Sequence, residues 1–101
     1  MVLLSQPVDV TVVEGERATF RCAYNGTSGI PWWRINGFVY SFDQLPERRT
    51  YSVRDQILWV SNVQLSDNTS THQCFFHPSG VASTIGRLYI VDSGEKNGAH
   101  L

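Results

Sequence analysis

This 101-residue chain is predicted to fold as an all-β, two-sheet antiparallel sandwich with one inter-sheet disulfide, and three features carry that expectation. Its only two cysteines, Cys22 and Cys74, each sit in a strand-like run. A tryptophan pair, Trp32-Trp33, follows the first cysteine by ten and eleven positions. Two half-cystines on facing strands, with an indole against the bridge, pin the layers of such a sandwich. Short alternating runs divided by turn signals every ~8 to 12 residues complete the pattern.

Parity assigns the faces, because successive side chains in a strand point to opposite sides. In Thr71–Phe76, Cys74 shares its face with His72 and Phe76; in Ala18–Tyr24, Ala18, Phe20, Cys22 and Tyr24 fall together. Trp33 and Ile35 share one face, so Trp33 is the expected core indole. Trp32 and Arg34 point the other way, with burial of Trp32 beneath a loop as the competing reading.

The chain is one domain long. Its core is modest at this size, so a covalent staple is useful. A bridge closing this loop stabilises by about 4 kcal/mol in the chain-entropy model. The cysteine pair favours an oxidising compartment, the alternative being two free, buried thiols in the cytosol. A net charge of -1 argues against nucleic acid or an anionic membrane as partner. No apolar run reaches the length of a transmembrane helix, and Met1-Val2-Leu3-Leu4 is too short for a signal-peptide core. The expectation is a piece of a longer secreted or membrane-anchored protein.

Taken in order, Val8, Val10 and Val12 alternate with Asp9, Thr11 and Val13 as a first strand with one buried face. Glu14-Gly15-Glu16 turns into a second strand, Arg17 to Tyr24. A glycine-bearing loop at 25–29 leads to a third strand at Pro31 to Ile35. Asn36-Gly37 is the strongest hairpin signal in the chain and feeds Phe38 to Ser41. Tyr51 and Val53 mark another strand, broken at Asp55-Gln56. Ile57 to Val60 follows with Leu58 and Val60 inward and Val63 beneath them. A polar corner at Ser66 to Ser70 precedes the Cys74 strand, and Pro78-Ser79-Gly80 turns into a last strand at Val81 to Val91. Residues 93–101 have the composition of a linker or stalk, which leaves 1–92 as the domain.

Five pieces in this order resemble the immunoglobulin superfamily: Gly15–Cys22, Trp33–Gly37, Leu58–Gln64, Cys74 and Gly86–Ile90. The cysteine separation resembles intermediate-set or shortened variable-like domains. Similar domains occur in tandem in adhesion proteins and receptor tyrosine kinase ectodomains. The family's Asp-x-Gly-x-Tyr-x-Cys motif is altered here to Asn68-Thr69-Ser70-Thr71-His72-Gln73-Cys74. His72 stands where the corner tyrosine would bond the backbone, so that bond is expected to be lost or imitated by imidazole. Asp67 lies one position early for the family aspartate. The resemblance implies a salt bridge from Asp67 to a basic residue starting the fourth strand, Arg49 or Arg48.

Catalysis needs a nucleophile, a base and a group to orient the base. His72 is inferred to face the core, His100 lies in the tail, and His77 beside Ser79 is weak evidence. No paired carboxylates, phosphate loop or metal-spaced cluster occurs, so the expectation is a non-enzyme without cofactor or metal. Asn25-Gly26-Thr27 and Asn68-Thr69-Ser70 are candidate N-glycosylation sequons in expected loops. On the sheet of the third, sixth and seventh strands, Trp32, Arg34, Gln73, Phe75, Arg87 and Tyr89 point outward, with Phe38 or Tyr40 extending the face. Aromatics with arginine on an exposed sheet are the composition of an interaction surface.

These observations imply an extracellular recognition module of a cell-surface receptor or adhesion protein, with a secreted protein the lesser option. Its partner would be a protein ligand or a second copy, the latter as a weak homodimer. The competing reading is a structural spacer in a multidomain extracellular or muscle-type protein. Recognition by variable loops ranks below both, since the loops at Asn25 to Ile30 and Pro78 to Gly80 are short.

Overall fold

The computed structural model describes residues 2–26 and 29–93; most of the expected 93–101 stalk lies outside them. The strands are Val2–Ser5 (β1), Val10–Val13 (β2), Ala18–Arg21 (β3), Ala23–Asn25 (β4), Trp32–Ile35 (β5), Phe38–Tyr40 (β6), Arg49–Ser52 (β7), Ile57–Val60 (β8), Thr71–Phe75 (β9) and Gly86–Val91 (β10). A 3-10 turn at Leu65–Asp67 is the one helical segment among the described residues.

One layer has five strands in the order β2-β10-β9-β5-β6; the facing layer is β3-β8-β7. After Cys22 the chain continues from β3 into β4, which pairs with β1. The sandwich is antiparallel except where β2 runs parallel to β10. That exception follows from how the chain changes layers. Pro7, which has no N–H to offer a ladder, is buried between β1 and β2. Its carbonyl accepts from the Thr84 hydroxyl at 2.8 Å, while Gln6 Oε1 accepts from the Thr84 N–H at 2.8 Å. The chain therefore crosses to the other sheet without reversing direction. Val8 lies in this crossing and is exposed, contrary to its expected burial with Val10 and Val12.

Between the layers Cys22 and Cys74 are joined at an S–S distance of 2.03 Å, with their Cα atoms 6.5 Å apart. Trp33, Phe20, Phe76, Leu58, Leu88, Val60 and Val63 are fully buried around the bridge. Tyr51 tilts against the Trp33 indole at 5.6 Å between ring centroids, and its hydroxyl donates to the Cys22 carbonyl at 3.2 Å. Burial pushes that phenol's pKa up. Gly86 opens β10 where a side chain has no room: a Cβ there would meet Phe20 Cδ1 at 2.9 Å and the Val8 carbonyl at 2.9 Å.

Four other boundaries differ from the sequence expectation. The second strand divides at Cys22, whose N–H bonds the Gln56 carbonyl at 3.0 Å instead of a ladder partner. Tyr51 belongs to β7, but Val53 lies past its end in an exposed turn. The last strand begins only at Gly86, because Ser83 bonds Cys74 through both its N–H (2.9 Å) and its hydroxyl (3.0 Å). Asn25 closes β4 and so sits in a strand, not in a loop.

Candidate protein-interaction face

Asn36 and Gly37, at φ 53° and 86°, make the two-residue turn that joins β5 to β6. That turn opposes Ile35 to Phe38, Arg34 to Val39 and Trp33 to Tyr40. Opposed residues in a pair share a face, so Val39 joins Arg34 on the outside. The expected extension of the face by Phe38 or Tyr40 is thus corrected: Tyr40 packs partly against the core, and Phe38, opposite Ile35, is exposed at the sheet edge. The signal was present in the sequence, since a two-residue loop fixes this register.

On the other side β5 pairs with β9, which opposes Trp32 to Phe75 and Arg34 to Gln73. Gln73 is held at both ends of its amide. Its Oε1 accepts from Arg34 Nη1 at 2.9 Å, and its Nε2 donates to the Ser83 carbonyl at 2.8 Å. The Arg34 guanidinium lies 5.1 Å from the centre of the Phe75 ring, within cation–π range. Trp32 is 39% exposed and Val39 49% exposed. With Phe75 and His77 they line an open depression of about 270 Å³.

Trp32, Arg34, Gln73 and Phe75 are therefore contiguous, while Arg87 reaches the group only at Gln73, its diagonal neighbour across β9, and Tyr89 lies beyond it. Arg87 lies opposite Thr71, four residues along β9 from Phe75, roughly 13 Å away at strand rise. Tyr89 is two residues further, opposite Thr11 of β2. His77 and Val39 were missed as members of the depression. On the facing layer Trp59 takes the Arg17 guanidinium over its ring at 4.2 Å.

The corner below Cys74 forms a second polar cluster. Asp67 accepts from Arg48 Nη1 at 2.6 Å, Arg48 Nη2 at 3.0 Å and the Gln64 N–H at 2.8 Å. Arg49 Nη2 is 3.8 Å from the same carboxylate, so the close bidentate partner of Asp67 is Arg48, while Arg49 is the more distant and the more deeply buried of the two. Arg48 is turned toward Asp67 by a left-handed backbone at φ 64°. Burial pushes the Asp67 carboxyl up, but the Arg48 hydrogen bonds, the Gln64 N–H and the two arginine charges together hold it below its ordinary value.

His72 is fully buried and stacks on Phe20 at 4.2 Å between ring centroids. Its Nε2 accepts from Arg49 Nε at 3.2 Å, so the imidazole receives a guanidinium rather than reproducing the tyrosine's bond to the backbone. Burial first, and the Arg49 charge second, bring its pKa down to about 3. It is a neutral core residue at physiological pH.

Both sequon asparagines are exposed. Asn25 Oδ1 accepts from the Val2 N–H at 3.1 Å, and Asn68 Oδ1 accepts from the Ile90 N–H at 2.9 Å. Ser70 of the second sequon is buried, and Thr27 of the first lies outside the described residues. Among the described residues no group of three His, Cys, Asp or Glu side chains could hold a metal ion, and no helix is long and apolar enough to cross a membrane.

No protein-family model and no curated protein sequence matches the chain. Solved structures do. Duf (Kirre) D1 superposes at a TM-score of 0.74 and 23% identity, covering 91% of this chain and 97% of that one. Rst D1-D2 gives 0.75 at 26% identity, over 90% of this chain and 49% of its own. The N-terminal Ig1-2 module of the Drosophila receptor protein tyrosine phosphatase DLAR gives 0.71 at 26%, over 91% of this chain and 49% of its own. The chain thus spans about half the length of those two structures. With two facing sheets, a disulfide between them and an indole against it, the chain is an immunoglobulin-like domain.

Proposed function

We propose that this domain is an extracellular recognition module of a cell-surface receptor or adhesion protein, one that binds a protein partner and performs no chemistry. The carrying observation is the ordered face on β5, β6 and β9. There Trp32 and Val39 expose apolar surface beside the half-buried Phe75 and an arginine that Gln73 holds in place. Apolar clusters of this kind on soluble proteins mark contact sites, and aromatic and arginine side chains dominate the energy of such contacts. The disulfide fits an oxidising compartment, and the similarity to a receptor phosphatase module fits a cell-surface parent. A receptor tyrosine kinase parent and a single membrane span belong to the same reading. So do glycans on Asn25 and Asn68, with 93–101 as a stalk.

The test presents the domain as a multimer to a panel of cell-surface ectodomains, beside a Trp32→Ser/Phe75→Ser variant that keeps its circular dichroism spectrum. Loss of every wild-type interaction in the variant supports the proposal. Interactions that survive the substitution place recognition elsewhere on the domain, and a wild-type domain that binds nothing favours the spacer.

A further inference from the structure

We propose that the β5–β6–β9 face is built for a different protein that presents a carboxylate beside a large apolar side chain, and not for a second copy of this chain. The inference rests on the recognition role proposed above and names the chemistry of the partner.

The outward positions of the five-stranded sheet are Thr11 and Val13, Arg87, Tyr89 and Val91, Thr71, Gln73 and Phe75, Trp32 and Arg34, and Val39. Two are arginines and none is acidic. Among the described residues Arg34 contacts Gln73 and Phe75 and no carboxylate. A guanidinium has five N–H donors, and Gln73 takes one. The remaining donors belong to a group whose position is already set by the Gln73 amide and the Phe75 ring. Little ordering is left to be done when an anion arrives, which favours affinity. Asp9, in the lead-in to β2, accepts the Arg87 N–H at 2.8 Å.

The depression lined by Trp32, Val39, Phe75 and His77 supplies the apolar half of the site. Arg34 and Val39 oppose each other across β5 and β6, and Phe75 serves both the guanidinium and the depression. An apolar side chain seated there lies within one or two residues of the anion along an extended segment of the partner. A two-fold contact between copies of this face would instead bring arginine-bearing surfaces together with no carboxylate between them. Like charges so placed disfavour the contact.

The experiment selects random heptapeptides displayed on phage against the intact domain, then measures the recovered peptides on wild type, Arg34→Gln and Trp32→Ser/Phe75→Ser. Sedimentation of the free domain is run in parallel. The proposal expects Asp or Glu enriched within two positions of a large apolar residue, affinity lowered about tenfold or more by Arg34→Gln, and a monomer. Peptides lost on the Trp32→Ser/Phe75→Ser variant but indifferent to Arg34→Gln would overturn the carboxylate chemistry while leaving recognition by the face standing. Peptides indifferent to both variants, or no peptides at all, overturn both. A dimer dispersed by Arg34→Gln or by Trp32→Ser/Phe75→Ser would show that a second copy is the occupant.

Discussion

Arg49 Nε donates to His72 Nε2 across 3.2 Å, so the imidazole at the corner-tyrosine position, kept neutral first by burial and then by the arginine charge, lies beneath a guanidinium. The folded pKa of His72, about 3, lies below its ordinary 6.5. The unfolded chain therefore takes up a proton that the native state refuses. The contribution to stability is fully present above pH 6.5 and falls as pH drops from there toward 3. Asp67, also depressed, loses its contribution only below the ordinary aspartate value of 3.8, so the window between 6.5 and 3.8 belongs to His72. Urea unfolding should show stability falling by up to ~1.4 kcal/mol per pH unit across that window. His72→Phe should flatten the slope. An unchanged slope in that variant would assign the pH dependence elsewhere.

The two arginines beside Asp67 are expected to differ in how far their loss is felt. Asp67→Ala takes the carboxylate from two buried or half-buried guanidinium groups and leaves the Gln64 N–H without its acceptor, and should cost about 3 kcal/mol. Arg48→Ala removes the bidentate partner but leaves Arg49 at 3.8 Å, and should cost about 1–2 kcal/mol. Equal losses in denaturant titrations would mean that Arg49 cannot compensate.

Adjacent indoles should behave oppositely. Trp33 is fully buried against the core, so Trp33→Ala should cost about 3–5 kcal/mol. Trp32, partly exposed, should cost under about 1 kcal/mol as Trp32→Ser. Acrylamide should quench Trp32 fluorescence in the folded state and leave Trp33 largely untouched.

Gly86→Ala tests the close approach of the layers at the start of β10. The added methyl meets Phe20, the Val8 carbonyl and Pro7 Cβ within 3.0 Å. Overpacking of this kind should cost about 1–3 kcal/mol, read as a lower urea midpoint. A neutral substitution would show that the Gln6–Asp9 crossing can move aside.

What was legible in the sequence was parity within single strands. Cys22, Cys74, Trp33, Leu58 and Leu88 are buried and Trp32 is outward because alternation is a local property. What was not legible depends on contacts distant in sequence. The layer crossing at Pro7 is fixed by Thr84, 77 positions away. β1 finds its partner in β4, so Val2–Ser5 acquires strand structure from a segment that periodicity cannot reveal. The choice between Arg48 and Arg49 turns on a left-handed backbone at Arg48, which no residue-type preference announces. Val39 is the exception: the Asn-Gly turn implied its orientation.

Trp32 and Trp59 lie on opposite layers, so their indole N–H resonances report separately on the two faces of the sandwich. The most direct measurement is an NMR titration of the labelled domain with a partner recovered from the ectodomain panel. Recognition through the β5–β6–β9 face predicts that the Trp32 indole signal and the amides of Arg34, Val39 and Phe75 shift, while Trp59 stays in place. A moving Trp59 beside an unmoved Trp32 would contradict it.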